Sequence, residues 1–157
     1  METEVQGYLA EFGILRGQIR DAIKGINDEA ANWHPLSQGT NSIYAILSHI
    51  IGVDNFWVRQ VINGEKLERN REAEFAAAGK LAELIEHWEK AWTEVEPILA
   101  KLARGQLIET RTLPFGPGRG AVTVQWVILH LISHYAIHLG HIQLTRQLWE
   151  NQYDKPA

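Results

Sequence analysis

The chain has 157 residues, 45% apolar and 22% charged, with a formal net charge of −4 and no cysteine. The length suits one domain, 1–157, with room for a real core, and the composition is that of an ordinary soluble globular protein. No lysine- or arginine-rich run occurs, which argues against nucleic acid as a partner, and without thiolates any transition metal has to be held by imidazole and carboxylate.

The start, "METEVQGYLAEF", is acidic and lacks the basic-then-apolar pattern of a signal peptide. No stretch of about 18 apolar residues is present to span a membrane. A cytoplasmic location is therefore expected. The first helix is predicted over Thr3 to Ile26, where Val5, Leu9, Phe12, Ile19 and Ile23 recur at helical spacing. Gly7, Gly13 and Gly17 weaken it by about 1 kcal/mol each against alanine, and are expected to mark close helix contacts. A polar loop, "NDEAANWHPLSQGTN", then delivers Asn41 or Ser42 as cap of the second helix, "SIYAILSHIIGVDNFWVRQVI", which stops at Asn63-Gly64. A charged connection, "GEKLERNREAEFAAAG", follows.

The third helix is predicted over Lys80 to Ala103, with a stripe of Leu81, Leu84, Trp88, Trp92, Val95, Leu99 and Leu102. Pro97 inside it is expected to kink or break it. "TLPFGPGRGAVT" reads as a loop, and Thr123 as the cap of a last helix over Val124 to Asn151. The tail "YDKPA" is expected to fray. Long helices joined by loops predict an all-α fold, a four-helix bundle. The tryptophans on these helices are expected to fill core or interface space. They and the long apolar stripes suggest a homodimer, since they leave more sticky surface than one small bundle readily buries.

The last helix contains "HLISHYAIHLGHI", His130 to Ile142, which holds four of the seven histidines. Its inward seam reads Val124, Val127, Leu131, His134, His138, His141, Thr145 and Leu148. His134 and His138 are one turn apart on one face, the spacing that lets two imidazoles converge on one ion. His49 takes an apolar position on the second helix's seam, between Ile46 and Val53. A lone histidine on an apolar face is usually a core residue bonded to a carbonyl or hydroxyl. Three on facing seams point instead to a metal site, with His49, His134 and His138 as ligands and coordination positions left open. His141 reads as a group that backs a ligand or touches substrate, with a fourth ligand as the alternative. His130, off the seam, reads as a hydrogen-bonding partner, and Tyr135 as packing ahead of a catalytic role. His34 and His87 read as surface residues.

These pieces resemble the DinB/YfiT-like superfamily. The resemblance rests on the histidine in "SIYAILSHIIGVDNFW", on the tryptophan, proline and polar cap in "NWHPLSQGTNSIYAILSHI", and on the closing His134, His138, Leu139, Gly140 and Ile142. The chain departs from the pattern at His141, where glutamine is usual. The resemblance implies an up-down-down-up bundle, one divalent metal on His49, His134 and His138, and frequent homodimers. Understood relatives are transferases and isomerases that use a low-molecular-weight thiol such as mycothiol, bacillithiol or glutathione.

A bound divalent ion lowers the pKa of water and deprotonates a thiol. The first functional expectation is therefore a metal-dependent thiol S-transferase acting on a small electrophile, with the thiol supplied by a cosubstrate. A metal-dependent hydrolase is the second enzymatic reading. The third is a non-enzymatic dimeric stress-response or binding module with a vestigial or structural metal. Haem ligation is a weaker rival. Zinc or nickel suits the donors best, with iron or manganese as further choices. The substrate is not readable, and no catalytic residue beyond the metal centre is.

Overall fold

The computed structural model describes residues 3–113 and 120–152. The expected frayed tail, and the Gly/Pro-rich centre of the last loop, lie outside those residues. Helix α1 (Glu4–Ile23) begins with a reciprocal cap: the Thr3 hydroxyl accepts from the Gln6 amide, and Gln6 Oε1 accepts from the Thr3 amide. Thr3→Ala is expected to lower stability by about 1 kcal/mol. The check is a lower urea midpoint at unchanged m value.

Helix α2 (Asp28–Asn32), capped by Asn27, lies in the segment expected to be loop. It is too short to show periodicity, and it serves a distant helix start, because Asp28 Oδ1 accepts from the Leu81 amide. Ser42, of the two candidates, caps α3 (Ile43–Asp54). That helix widens into a π-helical stretch over Asn55–Ile62 and ends at Asn63 and Gly64, whose φ of 76° suits glycine. The charged connection contains α4 (Arg71–Ala76), capped by Asn70.

Helix α5 (Leu81–Ala100) runs through Pro97. Pro97 removes the helical bond to the Thr93 carbonyl, but it falls in the last turn, so the helix is not broken and ends three residues later, at Ala100. A 3₁₀ turn follows over Arg104–Ile108. The expected loop is flanked by two short strands, β1 (Thr110–Thr112) and β2 (Ala121–Thr123), antiparallel with Arg111 opposite Val122. Thr123 then caps α6 (Val124–Asn151).

Side-chain contacts fix the helix directions. Gln125 reaches Glu4 and Arg146 reaches the Ala22 carbonyl, so α1 and α6 are parallel. Phe12 meets Trp92 while Arg16 meets Glu89, so α5 runs against α1. Trp57 meets Trp126 while His49 meets His138, so α3 runs against α6. The result is the up-down-down-up bundle. No helix of the described residues is long and apolar enough to cross a membrane.

Two expectations about packing are corrected. Nothing lies near the positions where Gly7, Gly13 or Gly17 would carry a Cβ, so these glycines mark no close helix contact. The buried ridge of α6 is Val124, Val127, Ile128, Leu131, Tyr135, Leu139, Ile142 and Thr145. His134 and His138 flank it half-buried, while His141 and Leu148 are exposed. The core also holds a polar cluster. Tyr135 donates to Asp54 at 2.5 Å and accepts from Arg16 at 3.2 Å. Arg16 also pairs with Glu89 at 2.9 Å and lies over Trp88 and Trp92.

Candidate metal centre

His49 stands in mid-α3 at 5% exposure, and the antiparallel α6 carries His134 and His138 past it on successive turns. One ring nitrogen from each of the three lies within 4.8 Å of the other two. His134 Nε2 is 3.1 Å from His49 Nε2 and 3.0 Å from His138 Nε2. Nitrogens bound tetrahedrally to zinc at 2.0–2.1 Å stand about 3.4 Å apart, so the spacing is close to that of a ligand set. His134 Nδ1 is buried with no hydrogen-bond partner among the described residues. A neutral imidazole has a single N–H, so hydrogen bonds among converged ring nitrogens cannot use every lone pair. A cation at the convergence can, and the donor set fits a borderline divalent ion.

The rings are poised as neutral donors. Burial, then the charges of neighbouring imidazoles, pushes His134 down to about 3. Burial, then His49 and His141, pushes His138 to about 4. His49 is also lowered, by burial first, against the opposing pull of Glu74.

Sequence reasoning missed the residues behind His49. Its Nδ1 donates to Glu74 Oε2 at 2.8 Å, and Arg69 grips both oxygens of that carboxylate at 2.7 and 2.8 Å. Burial alone would raise the Glu74 carboxyl, but the bonds from Arg69 and His49 hold it below its ordinary value. Phe75 stacks on the His49 ring at 4.4 Å. Both Glu74 and Phe75 lie on α4, a single polar-looking turn with no periodic signal.

The other candidates are placed plainly. His141 Nδ1 lies 3.4 Å from His138 Nδ1, so it backs a ring of the group and stays outside it. His130 stacks on Trp126 with ring centroids 4.9 Å apart and meets the edge of Trp57. Tyr135 belongs to the buried cluster with Asp54 and Arg16. His34 and His87 are exposed as expected. Beside His141 opens a largely apolar groove of about 650 Å³, walled by Trp33, Leu36, Ile46, Leu144 and Leu148.

A family model described as mycothiol-S-transferase matches residues 7–151. The chain belongs to the mycothiol-S-transferase family. Two solved structures share its fold. One is a conserved protein from Enterococcus faecalis, 15% identical, with TM-score 0.69 over 94% of this chain and 98% of that one. The other is a DinB-like protein from Bacillus cereus, also 15% identical, with TM-score 0.72 over 90% of each chain. No curated protein matches. The DinB-like resemblance of the sequence thus holds for family and fold.

Proposed function

We propose that this single-domain bundle is a metal-dependent thiol S-transferase acting on a small electrophile, with His49, His134 and His138 holding one divalent ion. The observation that carries this is the convergence of three neutral imidazoles in a chain of the mycothiol-S-transferase family. When bound, the ion supplies Lewis acidity that favours the thiolate form of a thiol at neutral pH. The chain has no cysteine, so the thiol comes from a cosubstrate. His141 stands behind His138 and leaves the three-histidine group open, which suits catalysis better than a closed structural site. The groove beside His141 offers walls for the apolar body of an electrophile.

The test is turnover. Protein loaded with zinc, nickel, manganese or iron is incubated with mycothiol, bacillithiol or glutathione and an aryl halide, and loss of free thiol is followed. Metal-dependent conjugation that disappears in His138→Ala is expected. Metal-loaded protein that leaves every thiol untouched but cleaves an ester makes it a hydrolase, and protein inert in both assays makes it a binding module.

We also propose a homodimer. Trp126, Leu129 and Ile137 are exposed on one face of α6, at 42%, 50% and 55%. Light scattering at micromolar concentration should give twice the 17.8 kDa chain mass, and a monomeric mass refutes it.

A further inference from the structure

Among the metal-site rings, His49 has its outer nitrogen engaged by a buried, ionised carboxylate. Glu74 can only accept, so the proton on His49 is drawn to Nδ1 and Nε2 is left as a bare lone pair facing His134 and His138. Glu74 is itself held. Arg69 donates to both of its oxygens, Asn70 caps the helix that carries it, and its side chain is only 10% exposed. Phe75, the next residue, lies flat on the His49 ring and restrains its rotation.

The sequence makes room for this arrangement at a single backbone position. Gly52 faces Glu74 from α3, one turn beyond His49, and a Cβ there would overlap the carboxylate. A free glutamate would swing aside. This one is pinned by Arg69 and His49, so moving it breaks charge-assisted hydrogen bonds. Glycine in mid-helix is less favourable than alanine, a cost explained here by the approach of the carboxylate.

We infer that Glu74, clamped by Arg69 and admitted by Gly52, is the positioning residue that fixes His49 as its Nδ1–H tautomer and aims Nε2 at the ion. The inference rests on the three histidines' holding a metal, as proposed above, but its first readout needs none. Carboxylates that orient a ligating histidine this way are worth about 10- to 100-fold in metal affinity.

The experiment uses full-length protein. Nitrogen-15 NMR of the metal-free protein at pH 7.5 should show His49 as Nδ1–H in wild type. Glu74→Ala should shift it toward Nε2–H, and Glu74→Gln, whose amide oxygen can still accept, should keep it. Zinc affinity by chelator competition should fall about 10- to 100-fold in Glu74→Ala and by less in Glu74→Gln. Gly52→Ala, which removes no polar group, should reproduce both changes. It carries the test if Glu74→Ala fails to fold. An Nδ1–H tautomer that survives in both alanine variants, or zinc affinity within about twofold of wild type in both, overturns the inference. Wild-type protein that binds no zinc, while its tautomer still responds to Glu74→Ala, overturns the metal site and upholds the orientation by Glu74.

Discussion

If His49, His134 and His138 hold the divalent ion proposed above, stripping it with EDTA is expected to lower the melting temperature by roughly ten degrees, and His138→Ala is expected to abolish that response along with the metal. An ion that binds only the folded chain stabilises it by RT ln(1 + [L]/Kd), about 4 kcal/mol at a thousandfold excess over Kd. At about 2–4 °C per kcal/mol for a domain of this size, that is roughly 8–16 °C. The loss has a structural source as well. Removing the ion leaves converged nitrogens in a half-buried site without their shared partner, and His134 Nδ1 has none to fall back on among the described residues. His130→Ala is the control. It gives up ring stacking on Trp126, but His130 is outside the group of three, so metal content and the chelator shift should stay near wild type. Metal content that falls to zero in EDTA while melting stays put would make the histidines structural residues in their own right.

Much of this three-histidine group was legible in the sequence, and the illegible part has physical causes. The His134–His138 spacing and the apolar seam around His49 needed only helical periodicity. The α6 seam was drawn slightly off. A 3.5-residue template drifts by about 20° per heptad from a straight helix, and over the 28 residues of α6 that was enough to draw in His141 and Leu148 and to leave out Tyr135. Ile132, Ile137 and Leu144 spread apolar surface around the helix and blurred the choice. Glu74 was invisible for a different reason. A buried carboxylate looks like a surface one until its histidine is known, and Glu74, though close in sequence to Arg69, meets His49 only through the tertiary fold. The β1–β2 pair failed on length, since three-residue strands beside a run of glycine and proline carry too few alternations to register. The widening of α3 after Asp54 leaves no mark in composition, yet that turn begins beside the buried aspartate.

That aspartate gives the other large expected effect, a loss of stability relative to Asp54→Asn between pH 5 and 8. Asp54 is 2% exposed, accepts from Tyr135, and leaves Oδ1 without a partner among the described residues. Burial is the main influence and pushes its carboxyl from 3.8 up to about 7, against the smaller opposing pulls of the Tyr135 hydrogen bond and the Arg16 charge. The folded state therefore holds this proton more tightly than the unfolded chain does. The stabilisation is complete below about pH 4, declines as pH rises, and is gone once pH passes about 7. Between pH 5 and 8 the wild type should lose about 2–3 kcal/mol relative to Asp54→Asn, whose amide oxygen can still accept from Tyr135. Glu74 and Glu89, both held below their ordinary values, act with the opposite sign at lower pH. His49, His134 and His138, also held low, act with that same opposite sign up to about pH 6.5, but they do so in both proteins and cancel in the difference. Urea unfolding of both proteins at half-unit steps, in EDTA to set the metal aside, gives the difference curve. A flat difference from pH 5 to 8 would mean that Asp54 stays ionised against Arg16 throughout, and that the buried cluster is held by charge and not by a shared proton.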